Sequence, residues 1–216
     1  MLTRIVIGLP NWGLRFLLWV LTRIIYGIRV MGRENIPQKG GALLVCNHMS
    51  FIDAVLVGAA LRRPVRFLMF KDVYNNPLIK PFVLFLRAIP VPTDLRPRAL
   101  IHAFQTASDA IRAGELVCVF AEGQITRTGQ MLPFRRGLEH ICKGLDAPIV
   151  PVNLHGVWGS IFSFERERFL WKAPRRMPYK VTVSFGPWLP ATATAAQVRL
   201  AVQELHAAAF EADRVA

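Results

Sequence analysis

Between the apolar run Ala42–Cys46 and a second apolar stretch that begins at Ala54 stands Asn47-His48-Met49-Ser50-Phe51-Ile52-Asp53. Histidine is the side chain that titrates nearest neutrality, and a carboxylate beside it can fix its tautomer and stabilise the imidazolium. His48 and Asp53 are so spaced that an acid one turn into a helix reaches back to a histidine in the preceding turn. A structural reading competes: Ser50 at an N-cap with an acid three residues later is a capping box. A carboxylate has two oxygens, so the two readings can hold together. The other histidines offer less. His155 ends an apolar run, and His102, His140 and His206 lie on predicted helices without partners. Cys46, Cys118 and Cys142 sit inside apolar runs without metal-ligand or disulfide-scaffold spacing, which predicts buried, reduced thiols and no metal site.

A strand–turn–helix must carry that heptapeptide. Ala42–Cys46 follows Gly40-Gly41 and reads as a buried strand. Further strands are predicted at Val65–Phe70, Ala88–Val91, Leu116–Phe120, Ile149–Leu154 and Val181–Phe185. Helical spacing over 97–113 runs from Pro97 in the first turn to a stop at Gly114. A second, alanine-rich helix covers about 195–215. There is no internal repeat and no low-complexity linker. The expectation is an α/β domain over residues 34–216, with a mixed, mostly parallel central sheet flanked by helices. Residues 157–178 mix aromatic and basic side chains and fit neither period; they read as an excursion on a basic, membrane-facing side.

Charge and hydropathy narrow the partners. Of 216 residues, 53% are hydrophobic and 19% charged, which excludes a disordered chain. The net charge is +13, and residues 1–100 hold fourteen of the 27 basic side chains but only four of the 14 acidic ones. Such a field draws nucleic acid or an anionic membrane face. Residues 1–33 decide between them. On a helical wheel Arg4, Asn11, Arg15, Thr22 and Arg29 form one narrow polar stripe on a broad apolar surface bearing Trp12 and Trp19. That pattern predicts an N-terminal amphipathic helix lying in the lipid interface, kinked or broken at Pro10. A true span would bury arginines at roughly 2.5–3.5 kcal/mol each, so monotopic or peripheral attachment is expected, and nucleic acid is not. The reduced thiols and basic charge place the protein on the cytoplasmic face of the inner membrane.

Asn-His-Met-Ser-Phe-Ile-Asp resembles the NHxSxxD block of the glycerophospholipid acyltransferases, the superfamily typified by 1-acylglycerol-3-phosphate O-acyltransferase. Three further blocks follow in that superfamily's order. Phe85–Val91 sits where the second, glycerophosphate-contacting block belongs. Val119-Phe120-Ala121-Glu122-Gly123 is similar to the third, and Ala147–Val152 to the fourth. The resemblance implies a metal-free reaction without a cofactor, acyl-ACP or acyl-CoA being the co-substrate. His48 is the implied general base and Asp53 its partner. Asn47 and Ser50, with nearby backbone amides, are implied supports of the site or the oxyanion, and Glu122 with Gly123 an acceptor-binding pair. Arg87, Arg127, Arg135 and Arg136 are candidates for the acceptor phosphate.

Two departures bear on the acceptor. The second block usually ends in arginine, where this chain has Pro92-Thr93. The third usually reads Glu-Gly-Thr-Arg, where this chain has Glu122-Gly123-Gln124-Ile125. A phosphate monoester carries nearly two charges and favours an arginine fork, whereas a diester carries one. The stretch Phe120–Gly137 is most similar to the acyltransferase domain of 2-acylglycerophosphoethanolamine acyltransferase/acyl-ACP synthetase fusions. The sequence therefore predicts a lysophospholipid such as 2-acylglycerophosphoethanolamine as acceptor, with 1-acylglycerol 3-phosphate as the alternative. A serine hydrolase is disfavoured, since no Gly-x-Ser-x-Gly elbow occurs.

Overall fold

All five residues of Ala42–Cys46 are buried, which requires cover on both faces of the strand they form. The computed structural model describes residues 24–77, 79–94, 96–164 and 177–215. In chain order the elements are β1 (Tyr26–Met31), a 3₁₀ turn (Arg33–Asn35), β2 (Ala42–Cys46), α1 (Asp53–Ala60), β3 (Val65–Phe70), α2 (Lys71–Asn75) and α3 (Lys80–Phe85). There follow β4 (Ile89–Val91), α4 (Pro97–Arg112), β5 (Leu116–Phe120), α5 (Gly137–Cys142), β6 (Ile149–His155), β7 (Tyr179–Phe185) and α6 (Ala195–Val215). The seven strands form one sheet in the order β1-β7-β6-β2-β5-β3-β4. Every pairing is parallel except β6 with β7. The expected α/β architecture is the one observed.

The core lies in two layers. On one face α1 supplies Val55, Leu56, Val57 and Ala60 against Leu44, Cys46 and Val152. On the other, α4, α5 and α6 cover Leu43, Val45 and Val117 with Ala107, Ile111, Leu138, Ile141, Val198 and Val202. The six predicted strands and both predicted long helices are present. Strand β1 is an addition to those expected and occupies the end of the segment read as interfacial helix: Tyr26–Met31 pair with Tyr179–Ser184 of β7. Arg29, exposed on this edge strand, falls into line with the polar stripe of the helical wheel by its position in the sequence alone. Residues 1–23, where the rest of the amphipathic pattern falls, lie outside the described residues, as do 165–176 of the basic excursion. Among the described residues no helix is long and apolar enough to cross a membrane.

The connections locate a crevice. From β2 the chain turns onto the α1 face; from its neighbour β5 it turns toward α5 on the opposite face. Where two adjacent parallel strands send their connections to opposite sides, a cleft opens at their carboxyl ends. His48 follows β2 by two residues and Glu122 follows β5 by two, so both stand at that cleft.

Candidate active site

His48 and Asp53 meet. His48 Nδ1 lies 2.8 Å from Asp53 Oδ2. The same carboxylate oxygen accepts the Met49 and Ser50 amides at 2.6 and 2.9 Å. A carboxylate only accepts, so the ring donates from Nδ1 and keeps its lone pair on Nε2. The imidazole is stacked on Phe120, ring centres 4.2 Å apart, and is 19% exposed, whereas Asp53 is fully buried. The arrangement is a histidine of fixed tautomer, partly exposed at the carboxyl end of the sheet, whose Nε2 takes no part in the Asp53 contact. Phe120, a strand residue with no polar atom, carried no signal in the sequence beyond its place in the third block.

The expected capping box is half made. Asp53 accepts the Ser50 amide, but the Ser50 hydroxyl accepts from Ile52 N–H at 3.1 Å and does not cap the helix. One oxygen, not two, performs both of the roles foreseen for Asp53. The main-chain amides from His48 to Asp53 all have acceptors within the protein: Glu122, Asp53 twice, Phe162 and Ser50 twice. They are therefore not free to stabilise an oxyanion in this conformation, contrary to the sequence expectation.

Several sequence candidates turn inward. Asn47 is fully buried and bridges β2 to β6: its Nδ2 donates to Leu154 O at 3.0 Å and its Oδ1 accepts from Leu154 N at 2.8 Å. Ser50 is buried in a bridge to Ser163. Neither side chain reaches the cleft, because each satisfies main-chain groups that the sheet leaves unpaired. Glu122 is 2% exposed and accepts His48 N–H at Oε1 and Leu132 N–H at Oε2, each at 2.8 Å. Its role here is to tie the turn after β2 to the loop before α5 rather than to receive a glycerol hydroxyl. Burial pushes its carboxyl above the ordinary range, opposed by the two amides and by His48.

The four arginines separate. Arg87 precedes β4 and pairs with Glu115 at 2.9 Å, beside the start of β5, so it stands at the amino edge of the sheet, away from His48. It is not placed to hold an acceptor at the dyad. Arg136 is directed along α5 to Glu139 at 3.0 Å. Arg127 lies over the Phe164 ring, which meets Phe51 at the start of α1, while Thr126 N–H donates to His48 O at 3.1 Å. Arg135 is laid across Gly123: its Nε donates to Glu122 O at 3.3 Å. Gly123 has φ 69°, and a Cβ there would meet Arg135 Nε at 2.6 Å, so only glycine allows that approach. Of the four, Arg127 and Arg135 stand by the cleft.

Among the described residues no group of three His, Cys, Asp or Glu side chains could hold a metal ion. The three cysteines are buried, and burial raises each thiol, that of Cys142 to about 12. The remaining histidines are partnered or surface-bound: His155 on β6 pairs with Asp213 of α6 at 3.2 Å, and His206 on α6 faces Asn153 of β6 at 3.2 Å.

With this geometry in place, comparison with known proteins is decisive for ancestry. The family model described as Acyltransferase matches residues 27–155, which include both members of the dyad. The chain belongs to the acyltransferase family. This acyltransferase-family chain is 28% identical over 131 residues to the 1-acyl-sn-glycerol-3-phosphate acyltransferase of Bacillus subtilis, covering 60% of this chain and 63% of that protein. It is 29% identical over 171 residues to a probable 1-acyl-sn-glycerol-3-phosphate acyltransferase of Mycoplasma pneumoniae, covering 75% and 62%. It thus spans less than two thirds of either relative's length. The crystal structure of the 1-acyl-sn-glycerophosphate acyltransferase PlsC of Thermotoga maritima superposes with a TM-score of 0.69 at 21% identity, over 92% of this chain and 76% of that one. That likeness is one of fold.

Proposed function

We propose that the protein is an O-acyltransferase that moves a fatty acyl group from a thioester, acyl-ACP or acyl-CoA, to the free glycerol hydroxyl of a lysoglycerophospholipid. The observation that carries the reading is the His48–Asp53 pair, at 2.8 Å, partly exposed at the carboxyl end of the sheet of an acyltransferase-family fold. Nε2 takes the hydroxyl proton as the oxygen attacks the thioester carbonyl. The tetrahedral adduct then expels the thiolate, which recovers that proton, and an ester and a free thiol result. Asp53 stabilises the intervening imidazolium. A positioned base contributes on the order of 10²–10⁴ in rate, and alignment of the two reactants supplies more.

For the acceptor, we favour 1-acylglycerol 3-phosphate over the lysophosphatidylethanolamine expected from the sequence. The relatives' names support it. So does Arg135, which lies across Gly123 in space, although the arginine usual in the third block is absent from the sequence there. The bilayer is the proposed site of action, at the cytoplasmic face, with the acceptor drawn from it. The test supplies radiolabelled acyl thioester with a panel of lysophospholipids. The specificity constant for 1-acylglycerol 3-phosphate should exceed that for lysophosphatidylethanolamine at least about tenfold, the worth of one charge-assisted contact. Arg135→Ala should erase most of the difference. A preference for the diester acceptor would restore the reading of the sequence departures.

A further inference from the structure

Three buried oxygens behind the dyad have no place in the scheme above. Asp53 Oδ2 carries three hydrogen bonds, but Asp53 Oδ1 is buried with no hydrogen-bond partner among the described residues. The hydroxyl oxygens of Tyr26, at the start of β1, and Ser160, in the segment after β6, are in the same condition. Both residues are fully buried. An apolar residue of the same volume avoids the desolvation cost of a buried hydroxyl, so two buried hydroxyls call for an acceptor.

The topology brings them to the dyad. β1 runs parallel to β7, and β7 antiparallel to β6, so the amino ends of β1 and β7 stand beside the carboxyl ends of β6 and β2. Tyr26 belongs to the same apolar cluster as Ile52 and Ala54, which flank Asp53 in the chain. Its ring is held on Tyr179, centres 5.5 Å apart. Its hydroxyl is directed at Ser160 without completing a regular hydrogen bond, and it feels the charge of Asp53. Burial chiefly, opposed by Ser160 and helped by Tyr179 and Asp53, lifts the phenol to about 12, so it remains a donor throughout the working range.

We infer that Tyr26 and Ser160 are positioning residues for the general base: their hydroxyls hold Asp53 Oδ1 through one shared water molecule, and so fix the rotation that aims Oδ2 at His48. Donors on Oδ1 also draw charge away from Oδ2. Their removal concentrates charge on Oδ2 and favours the imidazolium. Glu122 is also close to His48, bound through the main chain and untouched by either substitution.

The test titrates the His48 ring by NMR in the intact, histidine-labelled protein, with His48→Gln assigning the resonance. Tyr26→Phe, which keeps the stack on Tyr179, and Ser160→Ala should each move the titration midpoint upward by roughly half a unit. The acid limb of kcat/KM should move by the same amount, a loss of about threefold in rate on that limb with the high-pH plateau kept. An unmoved midpoint in the folded variants, even with a lowered unfolding temperature, would overturn the inference and leave Tyr26 a packing residue. If Tyr26→Phe does not fold, Ser160→Ala decides alone. The activity arm rests on the acyl-transfer reading, but the ring titration needs no substrate. A shifted midpoint in a protein that acylates nothing would fail that reading and keep this one.

Discussion

One oxygen of Asp53 accepts from the His48 ring and from two main-chain amides, so substitutions there separate catalysis from capping. In Asp53→Asn an amide oxygen in the Oδ2 position can still receive the Met49 and Ser50 N–H groups and the ring N–H, but it brings no negative charge to stabilise the imidazolium. Turnover should fall by at least about 10²-fold, with a stability loss of only about 1 kcal/mol. His48→Ala should remove acyl transfer and likewise cost about 1 kcal/mol in urea unfolding, since the ring is stacked at the margin of the core. An Asp53→Asn protein within a few-fold of wild-type turnover would reduce Asp53 to a helix cap. Glu122 gives the converse case. Glutamine offers one acceptor where two amides need one each, so Glu122→Gln should cost about 1–3 kcal/mol. Because burial raises the Glu122 carboxyl from 4.5, the native state holds that proton more tightly than the unfolded chain. Its stability contribution is therefore greatest below pH 4.5 and declines as pH rises through the raised value. Unfolding titrations of wild type against Glu122→Gln across that window should show the slope in wild type only.

At the scale of elements, the sheet owes its parallel centre to runs that are apolar on both faces, and its cleft to α1 and α5 leaving on opposite sides. The long helix α6 closes one face through Val198 and Val202, and its far half is fastened by polar contacts instead. There His206 donates to Asn153, stands edge-on to His155 at 5.0 Å, and His155 in turn pairs with Asp213. Burial first, and the neighbouring His155 second, lower the His206 pKa below 6.5. A depressed histidine stabilises the fold above the unfolded value and ceases to do so as pH falls through the folded one. Acidification from pH 6.5 downward should therefore loosen the docking of α6 on β6, seen as faster amide exchange over 203–213. His206→Gln, which still donates to Asn153, should flatten that dependence.

At the scale of the whole molecule, the proposal that the protein works at a bilayer rests on the net charge of +13 and the apolar residues before β1. Removal of residues 1–23 should release it from anionic liposomes while leaving the sheet intact. A longer deletion, through residue 30, would take Tyr26 and most of β1 with it and should unfold that edge. High salt alone should release the full chain only in part, because burial of apolar side chains and charge attraction share the binding. Complete release at moderate salt would mean that the attachment is electrostatic alone. Flotation assays at two salt concentrations distinguish the outcomes.

The sequence by itself determined the strand–turn–helix that carries His48 and Asp53, six of the seven strands, and the order of the four blocks. These are local matters: apolar run length, turn residues and a short spacing between two titrating groups. It could not show that Asn47, Ser50 and Glu122 face inward, since a polar side chain that satisfies distant main-chain groups has the same signature in sequence as one that meets a ligand. Nor could it place the arginines. Arg87 and Arg135 are alike in type, yet strand direction sends one to the amino edge and lays the other over Gly123. Tyr26 is the furthest case. It lies 27 residues before Asp53 in a segment patterned like a helix, and only the pairing of β1 with β7 carries it beneath the dyad. Tertiary structure decided these because long-range register, not local pattern, sets which end of the sheet each residue occupies.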